Sequence, residues 1–210
     1  MSPLLNEIIP ALIAENQGEL DKMLRKIWGF APNIMLDLMD GQFVQASSLD
    51  FPLKLPQGPR YQLHVMAVDP LMRLEMVQEQ VDTVVLHAEA LDNIGDAIVA
   101  AERKGVDLFI ALNPETCVGV VEPFLGKLAG VLVMSVNPGQ YGAKFLPEQL
   151  SKVKEIREGY PELIIEVDGG MNDATMGQAV EAGANQIASG SYIMKSSDPE
   201  AAYDRLLRLF

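Results

Sequence analysis

The chain has 210 residues, 49% of them hydrophobic and 21% charged, which is an ordinary globular composition and long enough to bury a sizeable core. Acidic residues outnumber basic ones 29 to 16, giving a net charge of −13, and this argues against nucleic acid or an anionic membrane surface as a partner, because both require a basic face. No stretch approaches the roughly 18 continuous apolar residues of a membrane helix, the first residues lack the basic start and cleavage site of a secretory signal, and the one cysteine, Cys117, excludes an internal disulfide framework and fits a reducing, cytoplasmic setting.

In chain order, β-rich runs occur near 7–14, 34–39, 61–66, 83–88, 107–113, 130–136, 163–168 and 186–190. Each but the second is expected to be followed by a helix. The clearest helical patterns cover Gln17–Trp28, Leu71–Gln80, Asn93–Lys104, Glu148–Glu158, Ala174–Ala182 and Pro199–Leu209. Apolar positions in them recur at three and four residues, as in Leu20, Met23, Leu24 and Ile27. Lys104-Gly105 and Ala182-Gly183 place glycine just past a last turn, and Pro147 and Pro199 stand where helices begin. Strand runs such as Val131–Met134 are apolar on both faces, as buried parallel strands are. Eight strands with crossover helices predict a closed (β/α)8 barrel spanning residues 1–210 as one domain. An open doubly wound sheet is the rival, weakened because no glycine-rich nucleotide turn follows the first strand. Between the second and third strands, Pro52, Pro56 and Pro59 rule out a regular helix; an irregular connection with one turn near Leu49 is expected.

In such a barrel, chemistry belongs at the C-terminal ends of the strands. The polar residues there are Asp37, His64, His87 with Glu89, Asn113, Ser135 with Asn137, Asp168, and Ser189 with Ser191. Asp37 is hardest to explain structurally. It sits inside the apolar run Asn33–Asp40, where an unpaired carboxylate is costly, while Asp40-Gly41 already supplies the turn. His64 alone reads as a hydrogen-bonded core histidine, and Asp168 before Gly169-Gly170 reads as a turn former. Together at one end of three strands, Asp37, His64 and Asp168 suggest one shared site for metal or proton chemistry.

Two further sets converge on the same end. Gly139 follows the sixth strand, Gly169-Gly170 the seventh, and Gly190-Ser191 the eighth. Backbone N–H groups at glycine turns and helix starts bind phosphate without net positive charge, and Lys144 could add one cation. Met39, Met66 and Met134 fall at strand ends, where methionine usually serves as adaptable core filling.

The segments Leu36-Asp-Leu-Met-Asp-Gly-Gln-Phe-Val44, Leu63-His-Val-Met66, Leu86-His-Ala-Glu89, Met134-Ser-Val-Asn-Pro-Gly139, Glu166-Val-Asp-Gly-Gly170 and Glu181-Ala-Gly-Ala-Asn185 resemble the ribulose-phosphate 3-epimerase family over nearly the whole chain. The resemblance implies a ribulose-phosphate-binding barrel of carbohydrate metabolism, in the pentose phosphate pathway, and often a homo-oligomer. It implies that Asp37 and Asp168 are the catalytic acid/base pair at C3 of a ketose phosphate such as D-ribulose 5-phosphate. It also implies a divalent metal (Zn, Fe, Mn or Co) held by Asp37, His64 and Asp168, a substrate pocket of Met39, Met66, Met134, Asn137, Gly139 and Gly142, and phosphate loops at Gly169, Gly170, Gly190 and Ser191.

The departures from that pattern are specific. The family's first metal histidine is Met35, a weak thioether ligand. Its serine in the first strand is Ala11, the stretch after that strand reads Ala14-Glu15-Asn16, and the loop after the sixth strand reads Gln140-Tyr-Gly-Ala-Lys144. These leave open an epimerase for a different ketose phosphate, a phosphosugar-binding barrel that does not epimerise, and a related decarboxylase. The last is disfavoured because Asp37-Leu-Met-Asp40 contains no lysine.

Overall fold

The computed structural model describes residues 6–139 and 142–210. Eight parallel strands close on themselves: β1 (Glu7–Leu12), β2 (Asn33–Asp40), β4 (Arg60–Met66), β5 (Val81–His87), β6 (Asp107–Leu112), β7 (Gly130–Met134), β8 (Ile164–Asp168) and β9 (Gln186–Ser189). Closure comes from the pairing of β1 with both β2 and β9. A two-residue strand β3 (Ser47–Ser48) runs antiparallel against the end of β2. The expected (β/α)8 barrel is thus the observed fold.

Alternation along the strands separates two cores. Ile9, Ala11, Met35, Val85, Phe109, Ala111, Leu132, Met134 and Ala188 fill the barrel interior. Their neighbours Ile8, Leu36, Leu63, Val84, Ile110, Val133, Val167 and Ile187 point outward and pack in the larger cluster with Leu20, Leu24, Ala97, Ile98, Ile156 and Leu206 of the helices. Strands apolar on both faces therefore serve two apolar environments at once. At the N-terminal mouth, Glu7 takes hydrogen bonds from Arg60 (2.7 Å) and Gln186 (3.1 Å), tying three strands together.

The outer layer holds α1 (Gln17–Ile27), α2 (Pro70–Glu75), α3 (Ile94–Lys104), α4 (Leu150–Gly159), α5 (Met176–Ala182), α6 (Ser191–Met194) and α7 (Pro199–Leu207). Caps follow the sequence signals: Asn16, Asn93 and Asp198 accept from backbone N–H groups at the starts of α1, α3 and α7, and Gly105 and Gly183 close α3 and α5 in the left-handed conformation. Arg157 of α4 donates to the carbonyls of Leu163 (2.7 Å) and Gly183 (2.9 Å) and to the Asn185 side chain (2.9 Å), and so ties α4 to the chain entering β8 and β9.

Three expectations need correction. The crossover after β6 carries no α-helix among the described residues, only 3-10 turns at Val118–Val120 and Glu122–Lys127; Pro114, Gly119, Pro123 and Gly126 break the helical run. The α2 helix ends at Glu75 and does not reach residue 80. No helical turn forms at Leu49; the chain makes the β3 bridge and Leu49 then takes a left-handed φ of 52°. Its buried side chain, with Leu55, covers the outward faces of β2 and β4, the place a crossover helix would take. Elsewhere in that connection the three prolines leave the chain irregular, as expected.

Candidate active site

The strand register assembles the site. Asp37 of β2 is directly opposite His64 of β4, Met39 is opposite Met66, and Met134 of β7 is opposite Asp168 of β8. All point inward at the C-terminal mouth. Asp40, by contrast, is consumed by structure: its carboxylate accepts from the backbone N–H groups of Gln42, Phe43 and Val68, each at 2.8 Å. It makes the turn and leaves Asp37 for the site.

His64 is fully buried, and its Nδ1 lies 3.0 Å from Asp37 Oδ1 and 3.9 Å from Asp168 Oδ2. One ligand atom from each of the three residues lies within 4.8 Å of the others, so Asp37, His64 and Asp168 form a group that can hold a metal ion. Two carboxylate oxygens and one imidazole nitrogen suit a divalent ion of the Zn, Fe, Mn or Co type, with an open position for substrate. Met35 does not join them. It is fully buried in the barrel-interior cluster, next to Ala11 in the register, and its neutral thioether is a weak ligand beside carboxylates.

Burial raises the Asp37 carboxyl to about 7, against a smaller pull downward from His87. Asp168 is raised to about 7 by burial and by the neighbouring Asp37 charge, with His64 and a hydrogen bond from Gly169 opposing. One layer deeper, Glu166 accepts a 2.6 Å hydrogen bond from Gln62 and is raised to about 8, chiefly by burial. Burial also pushes both histidines down, so their rings are held neutral.

A small cleft of about 60 Å³ opens over this group. Its walls include Ala11, Asp37, Asp168, Met39, Met66, Met134, Gly139, Gly142, Gly169, Gly170, Gly190 and Ser191, so these residues share one cavity; His64 is fully buried against the carboxylates and does not itself line it. Asn137 is exposed and does not line it, and Lys144 is exposed. Gln140 and Tyr141 of the altered loop lie outside the described residues. Residues that sequence reasoning passed over are Val136, Pro138, Ala143, Met171 and Ala188, which complete the walls; only their closeness to the glycine turns signalled them. Ser135 is a scaffold: its hydroxyl donates to the carbonyls of Asp168 (2.9 Å) and Gly169 (2.7 Å) and fixes the turn after β8.

A barrel whose strand ends present two carboxylates, an imidazole and glycine-rich loops around one cleft has the parts of a site for acid/base or metal chemistry. Comparison with known proteins narrows this. The model of the ribulose-phosphate 3 epimerase family matches residues 7–194. Ribulose-phosphate 3-epimerase of Schizosaccharomyces pombe is 32% identical over 92% of this chain and 89% of its own length, and that of Bacillus subtilis is 32% identical over 95% and 97%. The Mycobacterium bovis enzyme of the same name is 33% identical over 96% of this chain and 91% of its own. The chain belongs to the ribulose-phosphate 3-epimerase family, a family of isomerases. Among solved structures, 3-hexulose-6-phosphate synthase from Salmonella typhimurium superposes with a TM-score of 0.71 at 14% identity, covering 98% of each chain. KGPDC from Streptococcus mutans does so with a TM-score of 0.72 at 14% identity and 99% coverage of each; both likenesses concern the fold alone. No helix among the described residues is long and apolar enough to cross a membrane.

Proposed function

We propose that the chain epimerises a ketose phosphate of the D-ribulose 5-phosphate type at C3, by proton transfer between Asp37 and Asp168 through an enediolate. The observation that carries this reading is the carboxylate pair itself. Asp37 and Asp168 reach the same cleft from different strands, with carboxylate oxygens 3.0 Å and 3.9 Å from His64 Nδ1, and each is raised to about 7. A shared proton then leaves one carboxylate as base and the other as acid near neutral pH, which is what inversion at one carbon requires. The values belong to the coupled pair, so either member starts as base according to the substrate's configuration.

Asp37, His64 and Asp168 would hold the divalent metal. When bound, it supplies Lewis-acid stabilisation of the oxygen charge that develops beside the reacting carbon. The thioethers of Met39, Met66 and Met134 line the cleft next to the carboxylates; they exclude water and offer polarisable sulfur to a planar, electron-rich intermediate. Gly169, Gly170, Gly190 and Ser191 offer backbone N–H groups for the phosphate. This device suits a chain of net charge −13, which cannot attract an anion by its overall field.

A second reading, binding of a phosphosugar without epimerisation, is favoured by the apolar Ala11–Met35 pair on the barrel-interior side of Asp37. Metal analysis of the purified protein and solvent-deuterium incorporation at C3 of ribulose 5-phosphate separate the two, with a six-carbon ketose 6-phosphate run alongside. Deuterium at C3 supports the epimerase. Substoichiometric metal with no exchange on either sugar overturns it, and saturable sugar-phosphate binding under those conditions supports the second reading.

A further inference from the structure

The chain has two histidines, and they are in contact. Nε2 of His64 lies 2.8 Å from Nε2 of His87, with the ring planes only 17° apart and 5.0 Å between centroids, so the two rings meet edge to edge. Both are fully buried, so no bulk water can mediate. Two nitrogens at that distance need exactly one proton between them. Either His64 donates to His87, or the reverse.

The far side of His87 decides the direction. Its Nδ1 is buried without a hydrogen-bond partner, and the polar atom it faces is Oε2 of the Glu89 carboxylate at 3.5 Å. The Glu89 carboxylate is itself pinned as an acceptor: Oε1 takes the backbone N–H of Asn113 at 2.9 Å and the hydroxyl of Thr116. Burial alone would raise Glu89, but the neighbouring His87 ring and the hydrogen bonds from Thr116 and Asn113 outweigh it and hold the carboxyl at about 2. A lone pair on His87 Nδ1 would meet acceptors only, so the proton belongs there. His87 Nε2 is then the lone pair, and His64 must donate to it. The remaining His64 nitrogen, Nδ1, is left unprotonated, 3.0 Å from Asp37 Oδ1, an arrangement that a proton or a cation between two acceptors satisfies. The Phe43 ring, 4.9 Å from that of His87, limits its reorientation.

We propose that Glu89 and His87 are positioning residues that fix His64 as its Nε2–H tautomer and so present the Nδ1 lone pair to the Asp37–Asp168 carboxylates. The consequence for metal rests on the reading of this group as a cation site; the tautomer itself does not. Outer partners of this kind commonly set the orientation and basicity of an imidazole ligand.

The test is ¹⁵N spectroscopy of metal-free protein labelled at histidine, where two rings give the whole imidazole spectrum and His87→Gln assigns them. The expected result is an unprotonated Nδ1 and protonated Nε2 on His64, with the opposite pattern on His87. A protonated Nδ1 on neutral His64 overturns the proposal. Glu89→Gln supplies the second arm, since its amide can donate to His87 Nδ1 and reverse the chain. It is expected to populate the other His64 tautomer and to weaken Zn²⁺ binding, measured by calorimetry, by about 10–100-fold. An unchanged His64 tautomer in Glu89→Gln also overturns it. If the wild-type chain takes up no Zn²⁺, the cation reading fails, yet the ¹⁵N pattern still decides the tautomer.

Discussion

Ala11 and Met35 are register partners across β1 and β2, both inside the barrel and adjoining the layer that carries Asp37. The two departures from the family pattern that bear most on catalysis, histidine to Met35 and serine to Ala11, are therefore one physical change. A neighbouring polar pair has become a neighbouring apolar pair, and the barrel interior extends upward to the edge of the site.

From this pairing we expect Met35→His to tighten Zn²⁺ binding. A net gain of about 1.4 kcal/mol would appear as tenfold in Kd. The imidazole would replace a thioether in a closely packed apolar cluster, so Met35→His with Ala11→Ser should show a stronger effect than the sum of the single changes, as contacting pairs do. Calorimetric titration of the three variants checks this. Unchanged affinity in both Met35→His proteins would show that position 35 does not reach the cation group.

Asp37→Asn and Asp168→Asn should each lower deuterium exchange at C3 by about 10²–10⁴-fold, the usual loss on removing a general acid or base. A group that acts in only one direction of proton transfer gives an uneven result. One variant would then wash deuterium into one epimer without producing the other, which mass spectrometry of the separated sugars would detect.

Glu166, one layer below the carboxylate pair, offers a pH-dependent stability test. Its folded value, about 8, is above the ordinary 4.5, so the folded chain binds the extra proton between those values. Stability from this group is fully present below about 4.5 and is lost as pH rises through 8. Over that window the loss is on the order of 1 kcal/mol per pH unit. Glu166→Gln keeps an acceptor for Gln62 and removes the titration. It should match the wild type near pH 4.5 and be increasingly more stable toward pH 8 in urea titrations. A variant equally or less stable at pH 8 would contradict a buried neutral Glu166.

Gly169 has a φ of +111°, and an added Cβ would lie 2.4 Å from Val136 Cγ2. Gly169→Ala should cost about 1–3 kcal/mol from strained backbone conformation alone, with the contact adding to it. Thermal unfolding should shift down by several degrees, and inorganic phosphate should bind more weakly because the turn holding the neighbouring N–H groups must move.

Much of the molecule is legible in its sequence because the signals are local. Strands apolar on both faces, glycine at Gly105 and Gly183, and proline at Pro199 each state a backbone preference that the barrel then uses. Asp37 announces itself as a carboxylate inside an apolar run, and Asp40-Gly41 as the turn that makes Asp37 unnecessary for turning. The crossover after β6 and the bend at Leu49 were less legible, since in both the chain's choice depends on what outer surface is left to cover.

The sequence by itself determined the barrel and pointed to Asp37, Asp168 and the glycine turns as candidates at one end of it, because period, turn chemistry and strand-end position are properties of short segments. Only the tertiary structure decided how the strands register. Register set Asp37 opposite His64 and joined Ala11 to Met35, and the packing of neighbouring strands brought the His64 ring edge to edge with His87, with Glu89 behind it. Those pairings link residues far apart in the chain, and no short-range preference encodes which buried imidazole will meet which carboxylate.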